Sequence, residues 1–433
     1  MSFKKPILQV ALDFINLSRA LKVAEEAVAG GVDWIEAGTP LIKSGGLDVV
    51  RTLRKKFPKK TIVADMKIMD VGAVEVQMAA EAGAEVVVML GVTDDSTIRE
   101  GVEAGARYGA RIMVDLINVE DMITRAVELE RLGVDYICVH VGIDQQMRGM
   151  NPLEVSAQVV EVVNIPVAVC GGINSESSAK AIEAGASIVI VGGAITKSEN
   201  AEEATKMIKK AMYTRKPVVS KLYKKYGEEE LYDAYMKVST PNISDALQRK
   251  GEMTEIKAIT GGVKAVGTAV TVRSFPGDWA KPVEAIDVAG PRNVIVIEAT
   301  GTGKAVWGEL ATWSCVQKKI GGVVIDGAIR DVDEIRKLKF PAFAKHINPT
   351  AGDPKGFGEI NVEIVCGGVK VRPGDWIIAD DNGVVVVPKE IAVEIANRSL
   401  DVLERENRVR EEIKQGSTLS KVLHLKKWEK IFG

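Results

Sequence analysis

The sequence has few cysteines and no long apolar run, and each shortage excludes a class of protein. Its 433 residues include four cysteines, which never form a C-x-x-C pair. This pattern favours buried free thiols in a reducing compartment over a disulfide framework. No uncharged apolar stretch reaches about 18 residues, the length that spans a membrane. The chain is therefore predicted to be cytoplasmic and to make no membrane contact.

The chain also lacks an excess of charge of either sign. Its 57 basic and 59 acidic side chains leave a formal net charge of -2, so no bulk positive field is available for nucleic acid. Any anion must be bound locally. Apolar residues make up 46% and charged residues 27%, as in ordinary globular proteins. The length predicts two or three domains.

The first half contains short apolar runs, rich in β-branched residues, that begin roughly every 25 residues, with helix-like segments between them. Within a run, apolar residues do not alternate with polar ones, as is typical of parallel strands covered by helices on both faces. Eight such units over about 210 residues predict a (β/α)8 TIM barrel, although a doubly wound sheet has the same periodicity. The runs are 8–13, 34–38, 61–67, 86–91, 111–117, 136–142, 167–172 and 188–193.

The residues that end the runs favour the barrel. In an eight-stranded barrel the carboxyl ends of all strands surround one mouth, where active sites form, and the loops after strands seven and eight commonly bind phosphate. A glycine pair ends each of these two runs. Glycine lets backbone N–H groups approach an anion, and a helix starting at Asn174 or Ala194 would add its positive dipole end. The predicted mouth residues are Asp13, Glu36, Asp65, Lys67, Asp115, His140, Gly171, Gly172, Gly192 and Gly193.

Two carboxylates at this mouth, Glu36 and Asp65, are candidate ligands for a divalent cation. Carboxylates gathered at one place repel each other, and a shared Mg²⁺ that keeps several waters would relieve the repulsion. The alternative is that each caps a helix or pairs with Lys67, which would face the same side of an extended strand as Asp65. His140 is the only histidine of the first half, and imidazole titrates near working pH, so it is a candidate for proton transfer.

Five motifs of the first half carry a family resemblance. They are Val10-Ala11-Leu12-Asp13, Glu36-Ala37-Gly38-Thr39-Pro40, Asp65-Met66-Lys67 through Asp70, Val114-Asp115-Leu116 and Gly192-Gly193-Ala194-Ile195. Over residues 6–212 the chain resembles the 3-hexulose-6-phosphate synthases of the orotidine-monophosphate decarboxylase superfamily. In the sister family of 3-keto-gulonate-6-phosphate decarboxylases an arginine follows the histidine by three positions. Here that position is Ile143, which favours the synthase.

This resemblance implies an aldehyde-lyase that depends on Mg²⁺ or Mn²⁺. The reaction would interconvert D-ribulose 5-phosphate plus formaldehyde and D-arabino-hex-3-ulose 6-phosphate. His140 would remove the C1 proton of the ribulose phosphate, and Lys67 would stabilise the resulting enediolate. Family members are dimers in which the last aspartate of the Asp-x-Lys-x-x-Asp element reaches the neighbouring site. The resemblance assigns catalysis to His140, Lys67, Asp70, Asp13 and Asp115, metal binding to Glu36 and Asp65, and phosphate binding to Gly171, Gly172, Gly192 and Gly193.

A highly charged segment, residues 206–235, joins the two halves. Pro217 ends any helix that continues from the barrel, so the boundary is predicted near residue 215, within about ten residues. A basic cluster here is balanced by Glu228-Glu229-Glu230, which favours a solvated linker over a nucleic-acid contact. The predicted domains are 1–215, 216–400 and a helical tail at 401–433.

The second half does not keep the 25-residue rhythm. It shows a helix start at 239–245 and strand-like runs at 265–273, 294–298, 322–325 and 383–387. From Pro388 onward the pattern is helical and charged, with Ile391, Ile395 and Leu400 on one stripe, which predicts an assembly or covering helix. His346 and His424 have no acidic or cysteine partner at ligand spacing and are interpreted as structural or surface residues.

The motifs Trp307-Gly308-Glu309, Gly327-Ala328-Ile329-Arg330-Asp331 and Gly374-Asp375-Trp376 carry a second resemblance. Residues 225–395 resemble the RraA-like family, a swivelling β/β/α domain that forms trimers or hexamers. The family includes the regulator of ribonuclease activity A and aldolases acting on 4-hydroxy-4-methyl-2-oxoglutarate. In those aldolases an Asp-x20-Arg-Asp pattern holds a substrate carboxylate through the arginine and a metal through the last aspartate. Arg330 and Asp331 match it, whereas Glu309 replaces the first aspartate.

The whole chain is therefore interpreted as a hexulose-phosphate synthase barrel followed by an RraA-like domain, which would be a lyase, a binding or regulatory module, or an assembly domain. One alternative is a sugar-phosphate decarboxylase with the same barrel. The other is a ribonuclease-binding regulator with an inactive barrel. Polar residues at so many mouth positions favour the enzyme, because an idle scaffold need not keep them.

Overall fold

The computed structural model describes residues 5–219, 223–299, 303–423 and 425, in two compact units. The first unit is Met1–Lys225 with Glu404–Gly433, and the second is Tyr226–Leu403. The sequence predicted a boundary near residue 215 and a separate tail from residue 401. The structure places the boundary at residue 225 and groups the chain from Glu404 onward with the first unit. Among the described residues, no helix is long and apolar enough to cross a membrane.

The first unit is a closed barrel of eight parallel strands in chain order, with the last strand paired to the first. The predicted TIM barrel is confirmed, and each of the eight predicted runs overlaps one strand. The cross-strand partners Val10, Ile35 and Ile62 follow one register around the wall. The strands are β1 (Ile7–Leu12), β2 (Trp34–Ala37), β3 (Thr61–Ile68), β4 (Val86–Leu90), β5 (Arg111–Asp115), β6 (Tyr136–His140), β7 (Val167–Cys170) and β8 (Ile188–Val191).

Helices cover the outside of the barrel, and polar caps set where several of them begin. Asn16 accepts the backbone N–H of Arg19 at 3.0 Å, and Asp94, Asp121 and Asn200 cap later helices in the same way. The helices are α1 (Leu17–Ala29), α2 (Thr39–Gly45), α3 (Asp48–Lys56), α4 (Gly72–Glu81), α5 (Asp95–Tyr108), α6 (Met122–Leu132), α7 (Ile143–Met147), α8 (Leu153–Val162), α9 (Ser177–Glu183), α10 (Gly193–Thr196) and α11 (Ala201–Thr214).

Two predicted helix starts differ from those observed. The helix after β7 begins at Ser177 rather than at Asn174, because the Asn174 side chain accepts the N–H groups of Glu176 at 2.9 Å and Ser177 at 3.0 Å. The helix after β8 begins at Gly193 and contains only four residues. Its dipole is therefore too small to supply the positive helix end expected from the sequence.

The second unit is built on a mixed sheet with the strand order β19-β18-β10-β11-β13-β14-β9. Two short strands lie off this path, β12 on β13 and β15 on β10, and β16 pairs with β17 in a separate hairpin. The strands are β9 (Lys257–Ala258), β10 (Ala265–Ser274), β11 (Val294–Glu298), β12 (Ala305–Trp307), β13 (Gly322–Ile329), β14 (Ala342–Ile347), β15 (Gly358–Ile360), β16 (Ile364–Cys366), β17 (Val369–Val371), β18 (Trp376–Asp380) and β19 (Gly383–Val387).

All four strand-like runs of the second half are strands, and seven further strands were not predicted. Most of the missed strands have two or three residues, too few for a periodic signal. The helices of this unit are α12 (Leu231–Lys237), α13 (Thr240–Ala246), α14 (Ala280–Val288), α15 (Glu309–Gln317) and α16 (Val332–Lys337), and short 3-10 turns occupy Glu228–Glu230 and Lys389–Ile391. The chain closes with α17 (Ala392–Lys414) and α18 (Leu419–Leu423).

The two ends of α17 are buried in different ways. Ile395 and Leu400 pack in the core of the second unit, whereas Ile391, predicted on the same stripe, is 37% exposed. Further along, Arg408 is buried and makes a bidentate ion pair with Glu26 of α1, at 2.9 and 3.0 Å. It also donates to the Ser198 carbonyl at 3.1 Å. The last part of the chain is thus fastened to the barrel by a buried ion pair.

Candidate active site

The polar residues predicted at the mouth lie together at the carboxyl ends of the barrel strands. Asp13 follows β1, Glu36 lies in β2, Asp65 and Lys67 lie in β3, and two further residues end later strands: Asp115 in β5 and His140 in β6. Glu36, Asp65 and Asp115 are buried, Lys67 and His140 are half-buried, and Asp13 is exposed at the rim. Because parallel strands present their carboxyl ends at one rim, side chains separated by over a hundred residues share one site.

Asp115 is the centre of a hydrogen-bonded network. One oxygen, Oδ2, lies 2.7 Å from Nζ of Lys67 and 2.8 Å from Nδ1 of His140. The other, Oδ1, accepts the backbone N–H of Ile117 at 2.9 Å. Asp115 therefore holds the imidazole by one ring nitrogen and leaves Nε2 for other partners. A histidine oriented by a buried carboxylate is the arrangement that general acid–base catalysis requires.

Lys67 reaches two carboxylates because its backbone leaves the regular strand. Its φ of +48° is left-handed, and the β3–β4 register shifts between Ala64 and Ile68. Left-handed backbone in a non-glycine residue costs free energy and is found most often at functional sites. The extended strand assumed from the sequence is therefore wrong at this position. The ammonium nevertheless lies 3.1 Å from Asp65, whose Oδ2 also accepts the hydroxyl of Thr39 at 2.7 Å.

Asp13, Glu36 and Asp65 form a crowded group of carboxylates. Desolvation of the carboxyl by the surrounding groups, followed by the charge of Asp65, raises the pKa of Asp13 to about 6. Burial, Asp65 and Asp13 together raise the pKa of Glu36 well above its usual value. Beneath Glu36, the buried Gln9 donates to it at 2.5 Å, and the amide oxygen of Gln9 has no hydrogen-bond partner within the described part of the chain. Raised carboxylate pKa values and an unpaired buried oxygen are the features that a bound cation would satisfy.

The carboxylates and the thiol around Lys67 and His140 raise the pKa values of both side chains. Burial alone would lower the pKa of Lys67, but Asp65 and Asp115 outweigh it and raise the pKa. Burial would likewise lower the pKa of His140, but Cys170 and Asp115 raise it well above 6.5. Burial opposes the ionisation of Asp115, whereas His140 and Lys67 lower its pKa to about 2. The contacts of His140 therefore favour the charged form of the imidazole.

The two glycine pairs lie beside this cluster for different reasons. Gly171 and Gly172 have φ of +108° and +70°, which a residue with a side chain rarely adopts. Gly192 and Gly193 have no such φ, but the ring of Tyr223 occupies the place where a side chain of Gly193 would lie. Both turns therefore need glycine on structural grounds, and both expose backbone close to the mouth.

Asp70 does not join the cluster. Among the described residues it makes no hydrogen bond to the mouth network; instead it accepts the N–H of Val71 at 2.7 Å. It lies between two residues of an exposed apolar surface, which we call the α4 patch. The α4 patch consists of Met69, Val71, Val74, Met78 and Val92, which are 43–54% exposed.

The structure also reveals mouth residues that the sequence reasoning missed. All four cysteines are free, but Cys170 is half-buried rather than buried, because it ends β7 at the mouth. Its pKa is lowered to about 5, first by a hydrogen bond with Cys138 and then by His140, against the effect of burial. Gln9 could have been found from the sequence, because it is the one polar residue inside the apolar run that forms β1. Thr39 belongs to a motif of the family resemblance, but no role was assigned to it from the sequence.

A second candidate site lies in the second unit. A cavity of about 190 Å³ is lined by Glu309, Arg330 and Asp331 together with Trp279 and Trp307. Asp331 accepts the backbone N–H of Glu309 at 3.2 Å and lies 3.4 Å from the guanidinium of Arg330. The three residues predicted from the sequence are therefore neighbours. His346 is exposed on β14, and His424 lies outside the described residues.

Comparison with known families divides the chain as the fold does. The model of the orotidine 5'-phosphate decarboxylase / HUMPS family matches residues 6–208, and the RraA-like model, described as Aldolase/RraA, matches residues 240–386. A solved 3-hexulose-6-phosphate synthase from Salmonella typhimurium is 36% identical, with a TM-score of 0.47, and the alignment covers 48% of this chain and 99% of that one.

The curated relatives match the barrel half. A 3-hexulose-6-phosphate synthase from Bacillus subtilis is 42% identical over 202 residues, which cover 46% of this chain and 96% of the relative. An uncharacterized protein from Methanocaldococcus jannaschii is 44% identical over 191 residues, 43% of this chain and 90% of the relative. Both resemblances read from the sequence are thereby confirmed. The chain belongs, through its barrel, to the orotidine 5'-phosphate decarboxylase / HUMPS family that includes the 3-hexulose-6-phosphate synthases, and it carries an RraA-like domain after that barrel.

Proposed function

We propose that the barrel catalyses the aldol reaction that interconverts D-ribulose 5-phosphate plus formaldehyde and D-arabino-hex-3-ulose 6-phosphate. The observation that carries this proposal is the contact of His140 and Lys67 with one carboxylate, that of Asp115, at 2.8 and 2.7 Å. This pairing places a proton-transfer group beside a fixed positive charge, which an enediolate intermediate needs. The relatives named 3-hexulose-6-phosphate synthase support the same reaction.

His140 exchanges a proton with C1 of the ribulose phosphate. In the synthetic direction neutral His140 removes this proton, and in the cleavage direction its protonated form returns it. Asp115 keeps the ring oriented in both states. The ammonium of Lys67 stabilises the negative charge of the enediolate, which exists only during the reaction, so the interaction lowers the barrier rather than merely binding substrate.

Glu36 and Asp65 would hold a Mg²⁺ or Mn²⁺ ion. The raised pKa of Glu36 and the unpaired oxygen of Gln9 beneath it fit such an ion. In the described ranges no three His, Cys, Asp or Glu side chains are grouped to hold a metal, so an ion here would keep several waters, as Mg²⁺ usually does. When bound, it would supply Lewis-acid stabilisation of oxygen charge.

The phosphate group would bind at the two glycine turns, opposite the carboxylates. Gly172, Gly192 and Gly193 are half-buried, so their backbone is partly accessible, and α10 is too short to contribute much dipole. Backbone N–H groups, rather than a helix end, are therefore the expected donors. Gly192 and Gly193 would supply donors from the neighbouring loop.

We further propose that two copies of this chain pair through the α4 patch. The patch exposes five apolar side chains beside Asp70, whose carboxylate does not reach the mouth of its own barrel. Pairing would bury the patch and would bring Asp70 to the partner's site, as the family resemblance implies. A monomer in sedimentation velocity at micromolar concentration would contradict this.

The reaction is tested by formaldehyde-dependent consumption of ribulose 5-phosphate by the full chain. We expect activity with Mg²⁺ that EDTA abolishes and added Mg²⁺ restores. Glu36→Gln should lower the activity by about 10²-fold or more while leaving the fold intact, because it removes a metal ligand but retains the hydrogen bond to Gln9. Glu85→Gln, on the barrel surface, is the matched control. Full activity in EDTA would contradict the metal assignment.

The same preparation tests the alternative functions of the barrel. Release of CO2 from 3-keto-L-gulonate 6-phosphate, without formaldehyde-dependent activity, would establish the decarboxylase instead. Ile143, which replaces the arginine of the decarboxylases, is 57% exposed at the start of α7 and offers no charge to a substrate. If neither activity were found, the remaining hypothesis would be the ribonuclease-binding regulator with an inactive barrel.

For the RraA-like domain we propose a lyase acting on a pyruvate-like carboxylate. The cavity that gathers Arg330, Asp331 and Glu309 favours it, since a guanidinium can hold a carboxylate bidentately. Asp331 would hold a divalent ion through water, and Glu309 would lie against the substrate beside Arg330. The longer Glu309 keeps the charge of the aspartate in the aldolases, and its carboxylate also accepts the indole N–H of Trp313 at 3.2 Å.

Pyruvate release from 4-hydroxy-4-methyl-2-oxoglutarate tests this second activity. Arg330→Ala should lower kcat/KM by about 10²-fold, because the substrate carboxylate loses a charged bidentate partner. Arg336→Ala, on the exposed face of α16, should leave it unchanged. Activity that survives Arg330→Ala would contradict the assignment. Complete inactivity of the parent protein would favour a binding, regulatory or assembly role instead, and formation of a trimer or hexamer would support the assembly role.

A further inference from the structure

The thiol of Cys170 lies at the barrel mouth, and no step of the proposed aldol reaction uses it. Cys170 ends β7 and is the cross-strand neighbour of His140 at the end of β6. Its side chain is within hydrogen-bonding reach of His140 and Cys138. Of the four cysteines, Cys170 alone is not buried. The thiol therefore has access from the mouth and a base beside it.

Cys170, His140 and Asp115 together have the arrangement of an activated nucleophile. Cys170 is the cross-strand neighbour of His140, and the imidazole of His140 is held by Asp115 at 2.8 Å. A nucleophile, a base and a group that orients the base are the three parts that enzymes with a reactive cysteine share. The pKa of the thiol, about 5, agrees with this arrangement. The buried Cys315, by contrast, has its pKa raised to about 12 by burial.

A disulfide between Cys170 and Cys138 does not fit the strand register. Cys138 pairs with Ala168, and Cys170 pairs with His140. The two cysteines are thus diagonal neighbours on parallel strands, with Cα atoms roughly 8 Å apart by strand geometry. An unstrained disulfide needs Cα atoms less than about 7 Å apart. Cys138 therefore acts as a hydrogen-bond partner of the thiol and not as its redox partner.

We propose that Cys170 forms a reversible covalent adduct with the small aldehyde that enters this mouth. The sulfur adds to the carbonyl carbon, so a C–S bond forms and the carbonyl π bond breaks. The electron pair moves to oxygen, which takes the proton that the thiol had passed to His140. With formaldehyde the product is an S-hydroxymethyl cysteine, and neither an oxidant nor a leaving group is involved. The choice of formaldehyde rests on the proposed function, whereas the geometry of the three side chains does not.

The adduct would keep the aldehyde carbon next to the reacting centre. Formaldehyde in water is almost entirely the hydrate, which has no carbonyl for a carbon nucleophile to attack. Reversal of the addition at Cys170 releases the carbonyl form beside His140 and Lys67. Because the aldehyde is already held next to the enediolate, the two reactants do not have to meet by diffusion from bulk water.

Carbon NMR with [13C]formaldehyde and the full-length protein, without any sugar phosphate, tests the adduct. We expect one protein-bound S-hydroxymethyl resonance that disappears when free formaldehyde is removed. It should be present in Cys366→Ala, which alters a buried thiol of the RraA-like domain, and absent in Cys170→Ala. No bound resonance in the parent protein, or one that survives Cys170→Ala, would overturn the proposal.

Alkylation by iodoacetamide at pH 6 tests the nucleophile independently of formaldehyde. Cys170 should react on the order of tenfold faster than free cysteine, and His140→Gln should remove most of that advantage. Reaction no faster than that of free cysteine would overturn the activated thiol. Because neither experiment contains ribulose 5-phosphate, an adduct in a protein without synthase activity would support this inference and reject the proposed function. Synthase activity without an adduct would support the proposed function and reject this inference.

Discussion

His140→Ala is expected to abolish the exchange of the C1 hydrogen of ribulose 5-phosphate with solvent deuterium and to lower kcat by about 10²–10⁴-fold. His140 is the proton-transfer group at the mouth, and its Nδ1 is held 2.8 Å from Asp115. Substrate affinity should change little, because the proposed phosphate donors are the glycine turns. Exchange is measured by proton NMR in deuterium oxide, and binding by titration of ribulose 5-phosphate with inorganic phosphate as competitor.

His346→Ala is the matched control for this experiment, because it removes an exposed histidine from the other unit. In the parent protein, exchange should rise with pH through a midpoint above 6.5, since only the neutral imidazole accepts the C1 proton and the contacts of His140 raise its pKa. Undiminished exchange in His140→Ala would show that another group removes the proton. A midpoint below 6.5 would show that substrate binding breaks the contacts with Cys170 and Asp115.

Arg408→Met is expected to lower the free energy of unfolding of the barrel unit by about 3 kcal/mol, although the residue lies almost 200 positions beyond the last barrel helix. Its guanidinium is buried, with only 4% of the side chain exposed, and it pairs with Glu26 of α1. Removing the cation leaves Glu26, whose side chain is 26% exposed, without its partner. Hydrogen exchange of α1 and α11 peptides, read by mass spectrometry in increasing urea, measures the loss.

Arg410→Met, on the exposed side of the same helix, should change stability by less than about 0.5 kcal/mol. Equal unfolding midpoints for the two variants would show that the segment from Glu404 onward does not stabilise the barrel. The expected difference also implies that a fragment ending near residue 215 is less stable than the intact unit. Activity should therefore be measured on the full chain.

The barrel was predictable because each of its units repeats the same local pattern. A run such as 86–91 is apolar throughout, and buried parallel strands require this. The RraA-like domain was harder, since most of its seven missed strands are too short for a periodic signal. The longer strand β14 carries Lys345 and His346 near its end, which a search for apolar runs passes over. For that domain, resemblance to a family was more informative than periodicity.

Within the candidate site, the sequence identified the residues but not their contacts. Asp65 and Lys67 were expected to share one side of an extended strand, whereas the left-handed backbone of Lys67 brings it to Asp115 as well. Cys170 was grouped with the buried cysteines. Its neighbour across the strands is thirty residues away, and no local pattern connects them.

By itself the sequence determined which strands form in the barrel half, that they are parallel and covered on both faces, and which polar residues end them, because these properties follow from the local order of apolar and polar side chains. Only the tertiary structure decided that Asp115 joins His140 to Lys67, that Cys170 lies next to His140, and that α17 reaches the barrel through Arg408. Those contacts depend on register, backbone strain and burial between distant segments, which no local pattern encodes.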